Sequence, residues 1–308
     1  MSQAPKKFLV VIAGPTAVGK TRLAIAVAQA LQTEIISADS RQFYREMAIG
    51  TAKPSAEELA AVPHHFVDQL SIHVNHYSAG RYEAEVLQFL ETFFADHDIV
   101  VMAGGSGLFV NAVCNGFDAF EKADEAQVNT VRELLNSKDL SWLQEETQRL
   151  DPEYFERVDQ KNPARLKRGL EVIYTTGKKY SEQRIGRKAE RPFEVIRIGL
   201  TLPRDVLNQR IDARVNAMMQ QGLLDEVKQL YLHRKRNALR TVGYEELFDY
   251  LDDCCTLEEA VALIKLHTRQ FAKRQMTWFR KDDAYQWFSP DDVAAILAYI
   301  DERRKAVH

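Results

Sequence analysis

The segment Gly14-Pro15-Thr16-Ala17-Val18-Gly19-Lys20-Thr21 spaces its glycines, lysine and hydroxyl as Gly-x4-Gly-Lys-Thr, the pattern of a phosphate-binding P-loop. Glycines let successive backbone N–H groups converge on phosphate oxygens. Lys20 adds positive charge, and the Thr21 hydroxyl can ligate Mg2+. The pattern leaves open whether the phosphate is hydrolysed, transferred or released. A nucleotide hydrolase carries a second signal, an apolar strand ending in an aspartate that serves the metal. Here the corresponding run, IVVMAGGSGLF, ends in Gly104, Gly105 and Ser106, which suit close approach of a ligand rather than a metal carboxylate. The acidic residue lies elsewhere, as Asp39 at the end of EIISADS, where an aspartate is also a common turn former or helix cap.

These residues need strands that deliver them to one place. FLVVIAG, before the P-loop, is a continuous apolar run, as a strand buried on both faces requires. TRLAIAVAQAL follows at helical period, then EIISADS as a second strand. A long helix capped by Ser78 leads into DIVVMAGG, a third strand. This alternation predicts an α/β fold with a P-loop NTPase-like parallel sheet. Ligands bind at the carboxyl ends of such strands. The P-loop, Asp39-Ser40 and the Gly-Gly-Ser turn should therefore share one crevice.

From Phe117 to about Arg191 only helical patterns occur, with Pro163 suited to the first turn of one helix and Gly177 to its end. FEVIRIGLTL then returns as a strand, followed by Pro203, a helix ending at Gly222, the long amphipathic LEEAVALIKLHTRQFAKRQMTWFR, and YQWF as a last strand. The expected organisation is an α/β core formed by residues 1–117 and 192–308, with an all-helical insertion domain at 118–191.

The chain has 308 residues, 45% hydrophobic and 28% charged, with a net charge of −3, which excludes a generally basic protein that coats nucleic acid. The N-terminal apolar run is too short for a signal segment or a membrane span. Cys114, Cys254 and Cys255 form no Cys-x-x-Cys pair and read as small buried hydrophobes in a reducing cytoplasm. No membrane association is expected, and a monomer is expected. His64 and His65 in PHHFVD read as structural, since adjacent imidazoles point apart in an extended strand.

The stretches GPTAVGKTRLA, SADSRQFY, AIGTAKPSAEEL, PHHFVD, GGSGLFVNAV, NPARLKRGLEV, NQRIDARVNAMMQQGLLDEV, RTVGYEEL and RQFAKRQMTWFR, in this order over residues 8 to 281, resemble the bacterial tRNA dimethylallyltransferase family. The resemblance implies a P-loop core with a helical insertion, Mg2+, and two substrates, dimethylallyl diphosphate and the anticodon stem-loop of tRNA. The alkyl group would pass to the exocyclic amine of the adenine 3′ of the anticodon, with pyrophosphate leaving. No water then needs aiming at a γ-phosphate, which accounts for the missing strand-end aspartate. Gly14 to Thr21 and Arg214 would hold the diphosphate. Arg210, one helical turn before Arg214, can face the same ligand. Asp39 matches the family's general base. Ser106 stands where the family usually has threonine, its hydroxyl expected to bridge the diphosphate and the amine.

A net acidic protein needs a local basic face to hold RNA. Residues 161–191 carry ten basic against three acidic residues: Lys161, Arg165, Lys167, Arg168, Lys178, Lys179, Arg184, Arg187, Lys188 and Arg191 against Glu171, Glu182 and Glu190. The resemblance assigns tRNA contact to Ala164, Arg165, Leu166, Lys167 and Arg168. It adds Arg240, Thr241, Val242, Gly243, Tyr244 and Glu245, and KRQMTWFR with Lys273, Arg274 and Arg280. Asp39, Ser40, Arg41 and Gln42 would line the adenine pocket. One departure concerns the start of the insertion, where the family often has an arginine and this chain has none before Arg132. Two other classes share the P-loop: a nucleoside or nucleotide kinase with the insertion as its lid, and a P-loop RNA-binding protein without catalysis.

Overall fold

The computed structural model describes residues 6–74, 77–116, 123–183 and 189–306. Arg184, Arg187, Lys188 and the first residues of the insertion, 118–122, lie outside them. The chain forms two compact units, residues 1–114 with 191–308, and residues 115–190.

The strands are β1 (Phe8–Ala13), β2 (Ile35–Ser37), β3 (His64–His65), β4 (Ile99–Gly104), β5 (Glu194–Leu200) and β6 (Gln286–Phe288). In chain order the helices begin with α1 (Lys20–Ala30), α2 (Ala56–Ala61), α3 (Ala79–Asp96) and α4 (Gly107–Asn115). The insertion supplies α5 (Glu125–Asn136), α6 (Leu140–Leu150), α7 (Pro152–Arg157), α8 (Pro163–Thr176) and α9 (Tyr180–Gln183). There follow α10 (Arg204–Gln220), α11 (Leu223–Leu230), α12 (Glu245–Leu251), α13 (Leu257–Phe279) and α14 (Val293–Lys305). No described helix is long and apolar enough to cross a membrane.

In the first unit the strands form one sheet in the order β3-β2-β4-β1-β5-β6, and every strand pair is parallel. The continuous apolar character of β1 follows from its central place. Leu9, Val11 and Ala13 feed the core on one face, and Phe8, Val10 and Ile12 feed the core on the other. Register levels the carboxyl ends: Ala13 pairs with Gly104 on one side and Gly199 on the other, and Ser37 pairs with Ala103. The β3 strand escaped the sequence pattern because two residues carry no periodicity. His64 Nδ1 lies 2.8 Å from the Val62 carbonyl, and His65 pairs with Glu34 and packs against Phe89. Ser78 caps α3 by accepting the Arg81 N–H at 3.1 Å.

The AIGT loop, α11 and the start of α12 meet at one carboxylate. Glu226 accepts the N–H groups of Ala48, Ile49 and Gly50 at 3.0, 2.7 and 3.0 Å and the Tyr244 hydroxyl at 2.6 Å. It ties the AIGT loop to α11 and to the start of α12. A Cβ on Gly50 would sit 2.5 Å from the Tyr244 ring, so only glycine allows this approach. Glu226→Ala leaves four donors without their acceptor and is expected to destabilise the unit by about 3 kcal/mol, with Glu226→Gln losing less. A lower urea midpoint at unchanged slope checks this.

The second unit packs Leu135, Leu143, Leu166 and Leu170 into its own small core. Helix α8 opens with Asn162 accepting the Ala164 and Arg165 N–H groups, carries Pro163 in its first turn, and closes on Gly177 at φ 71°. Its buried Glu171 holds two arginines, Arg132 through two nitrogens at 2.6 and 3.2 Å, and Arg168.

Candidate active site

Three strand ends place the P-loop, Asp39 and the Gly105–Ser106 turn around one cavity of about 540 Å³ in the first unit, lined by Thr16, Asp39, Ser40, Ser106 and Arg214 among others. The P-loop joins β1 to α1. Ala17 and Gly19 adopt positive φ, 63° and 107°, which curls the loop over the helix N-terminus. Ala17, Gly19, Lys20 and Thr21 are left with N–H groups that meet no protein acceptor among the described residues. The nest is smaller than the motif suggests. Pro15 has no N–H, Val18 donates to the Pro15 carbonyl and buries its side chain, and the Thr16 N–H donates to Gln275 Oε1 at 2.8 Å. A Cβ on Gly14 would lie 2.9 Å from the Leu200 carbonyl oxygen, which keeps the loop close to β5.

Lys20 of the loop itself and two arginines of α10 supply positive charge to it. Lys20 Nζ donates to the Pro15 carbonyl at 2.8 Å. Arg214, on α10, donates to Thr16 Oγ1 at 3.2 Å, and Arg210, a turn earlier, to the Val18 carbonyl at 3.3 Å. Burial pushes the Lys20 ammonium down to about 8, Asp39 raises it, and Arg214 lowers it. Burial likewise lowers Arg214, with Asp39 opposing. Asp39 thus acts electrostatically on both cations. Below about pH 8 Lys20 is charged; as pH rises through that value the nest loses the Lys20 charge and keeps that of Arg214. Inorganic pyrophosphate is therefore expected to bind more weakly above about pH 8, approaching tenfold per pH unit, and titration calorimetry from neutral to alkaline pH checks this.

Across the cavity, Asp39 Oδ1 accepts the Arg41 N–H at 3.0 Å, so the carboxylate is fixed by a turn of its own loop. Ser106 Oγ accepts the Ser40 N–H at 3.0 Å and donates to Ser40 Oγ at 3.1 Å. The two strand-end loops are locked together next to Asp39. Gly104 is required here, because a Cβ would lie 2.2 Å from the Ala38 carbonyl oxygen. The rest of the wall is largely apolar: Ile211, Val215 and Met218 on α10, and Ile264, Phe271 and Trp278 on α13.

Other expected contacts divide by exposure. Arg240, Thr241, Val242, Gly243 and Glu245 line the same cavity, as does Arg274, while Lys273 and Arg280 are exposed. Ala164, Arg165 and Arg168 are exposed on α8, and Lys167 is half-buried, bonded to Asn136. Tyr244 and Leu166 depart from expectation: both are fully buried, one under Glu226 and the other in the insertion's core, so neither side chain can meet RNA. Gln42 is absent from the cavity wall; its amide donates to the Thr51 and Ala52 carbonyls. Arg41 reaches the cavity, but its guanidinium donates to the carbonyls of Asn237, Ala238 and Arg240 at 3.2, 3.0 and 3.2 Å, anchoring the 237–243 loop. Arg191 leaves the basic face, paired with Glu83 and the Ala112 carbonyl in the first unit. Cys114 is buried in the core, Cys255 packs half-buried against it, and Cys254 departs from expectation by being exposed.

A family model described as IPP transferase matches residues 42–282. The tRNA dimethylallyltransferase 1 of Phocaeicola vulgatus is 46% identical over 292 residues, covering 95% of this chain and 97% of its own. This chain belongs to the tRNA dimethylallyltransferase (IPP transferase) family. The tRNA dimethylallyltransferase of Christiangramia forsetii is likewise 46% identical over 297 residues, 96% of this chain and 98% of its own. Among solved structures, the full-length tRNA isopentenylpyrophosphate transferase of Bacillus halodurans superposes with a TM-score of 0.73 at 35% identity, covering 98% of both chains. A eukaryotic dimethylallyltransferase acting on tRNA gives 0.77 at 26% identity over 96% of this chain and 77% of its own. The α/β sheet with its P-loop is the fold of this family, and the resemblance read from the sequence motifs is borne out.

Proposed function

We propose that this chain transfers the dimethylallyl group of dimethylallyl diphosphate to the exocyclic amine of the adenine 3′ of the anticodon in tRNA, releasing pyrophosphate. The reading is carried by one cavity in which Asp39, Ser106 and Arg214 meet an apolar wall from α10 and α13, and which the P-loop enters through Thr16, with Lys20 close behind Gly105. The amine nitrogen bonds to the prenyl carbon as the carbon–oxygen bond breaks. The diphosphate keeps the electron pair, and Asp39 takes the amine proton. Ala17, Gly19, Lys20 and Thr21 N–H groups, with Lys20 and Arg214, stabilise the charge growing on the leaving group. Ser106 sits next to Asp39 and faces the same space.

Thr21, at the start of α1 beside the nest, would hold Mg2+. Thr21 is half-buried at the N-terminus of α1, and its hydroxyl oxygen is the kind of hard donor that Mg2+ takes. When bound, the ion offsets diphosphate charge.

The target adenine has to leave its stack to reach this cavity. The 240–245 loop, Lys273, Arg274 and Arg280 on α13, and Lys161, Arg165 and Arg168 in the helical insertion are assigned to holding the anticodon stem-loop. We assign the insertion, residues 118–191, to RNA contact on the exposure of those α8 cations. Glu171 pairs with both Arg132 and Arg168; Arg168 is exposed and Arg132 half-buried, and on that difference we assign Arg132 to the insertion's fold. We propose that the chain acts on tRNA as a monomer in the cytoplasm.

Incubation with dimethylallyl diphosphate and an unmodified anticodon stem-loop RNA tests the assignment. Mass spectrometry of the nucleosides is expected to show one dimethylallyl group on the adenosine 3′ of the anticodon, with one pyrophosphate released per modification. Phosphoryl transfer from ATP to a nucleoside, with no prenylated product, would overturn it.

A further inference from the structure

We propose that Gln275 is a positioning residue that sets the phosphate loop against the Gly105–Ser106 turn, and that its amide must accept and donate at the same time. The proposal rests on the transfer reaction above. Gln275 is only 7% exposed, and the other buried side chains of α13, Ala260, Ile264, Ala272 and Phe279, are apolar. An amide in such a stripe is costly unless both its ends are bonded. Both are: Oε1 accepts the Thr16 N–H at 2.8 Å, and Nε2 donates to the Gly105 carbonyl at 2.9 Å.

The two partners are the roots of the two halves of the site. Thr16 opens the nest and also receives Arg214 through its hydroxyl. Gly105 precedes Ser106, whose Oγ holds the N–H of Ser40, the residue after Asp39. One side chain therefore links the leaving-group end to the carboxylate end. Strand register fixes where β1 and β4 stop, but the tips of their loops are free of the sheet ladder. The bridge between those tips is Gln275. A Cβ at Gly105 would lie 2.3 Å from Nε2, so a side chain there would displace the amide from its bond. Sequence position gives little hint of this, since Thr16 and Gln275 are 259 residues apart.

The requirement for a simultaneous donor and acceptor makes the test specific. Gln275→Met removes both bonds without adding charge. Its turnover is expected to fall on the order of 10²-fold at every pH, as for a ~1 Å misplacement of reacting groups, with the loss in kcat rather than in KM for RNA. Gln275→Glu, when ionised, can accept from Thr16 but sets an oxygen against the Gly105 carbonyl, so it keeps one bond and loses the other. Its turnover at neutral pH is expected to fall at least about tenfold, again in kcat rather than in KM for RNA. A near-normal kcat in either variant, or a loss confined to KM, overturns the proposal, and the Glu readout stands even where the Met variant fails to fold. An unaltered chain that prenylates no RNA overturns the transfer reading instead.

Discussion

Asp39→Asn is expected to lower prenyl transfer ~10²–10⁴-fold, the span general-base removal usually costs, while the RNA stem-loop binds as before and pyrophosphate binding at neutral pH is not weakened, since a neighbouring negative charge is removed. The exocyclic amine of adenine is a poor nucleophile because its lone pair is shared with the ring. The new carbon–nitrogen bond would leave a positive charge on that nitrogen unless its proton departs during attack. Asp39 is placed to take it: it lines the cavity, its Oδ1 is fixed by the Arg41 N–H, and its charge reaches both Lys20 and Arg214 at the phosphate end. Asparagine keeps the size and the bond from Arg41, because its carbonyl oxygen accepts as Oδ1 does. It loses the capacity to accept a proton. Single-turnover rates with preformed complex, compared with equilibrium binding of each substrate, separate the two effects. A rate within a few-fold of normal would move the base elsewhere, and a matching loss of pyrophosphate binding would make Asp39 a structural support of the nest.

Much of this site could be read from the chain because parallel sheets concentrate chemistry at predictable places. The buried run of β1 predicts a central strand, and a Gly-x4-Gly-Lys-Thr turn after such a strand points into the crevice. Asp39 and Ser106 follow by the same rule, each just beyond the end of a strand that register levels with β1. Residues whose roles depend on long-range packing were less legible. Gln275 does leave a signal: an amide on the inward stripe of an amphipathic helix, between Ala272 and Phe279, must be bonded to something. What it bonds to is set by tertiary structure. Glu226 left none, since an acidic residue in the first turn of a helix reads as a dipole partner. Leu166 and Tyr244 show that a contiguous motif need not present a contiguous surface: on α8 the middle of ARLKR turns inward while Arg165 and Arg168 face water, and the Tyr244 side chain turns inward to Glu226.

Lys20→Met is expected to cost ~10²–10³-fold in turnover, the effect of losing one strong group that stabilises developing negative charge, and to leave the fold at least as stable. These two outcomes together distinguish chemistry from architecture. The ammonium is held against the Pro15 carbonyl under conditions that lower it to about 8, so part of the folding free energy is used to keep a cation dry. Methionine fills the same length without that desolvation cost, and removing a charge from such a place is often neutral or stabilising. Catalysis loses what stability gains. As the prenyl carbon–oxygen bond lengthens, charge accumulates on the diphosphate oxygens, and a desolvated cation acts on them with little water between. Arg214 approaches from α10 through Thr16 and cannot take Lys20's position inside the loop. The variant should also lose the weakening of pyrophosphate binding above about pH 8, since the group that titrates there is gone. Thermal unfolding, kcat and the pH dependence of pyrophosphate binding measured on one preparation test all three. A destabilised protein with normal kcat would make Lys20 a strut of the loop, and a slow, stable protein whose pyrophosphate binding still weakened at alkaline pH would assign the titration to another group.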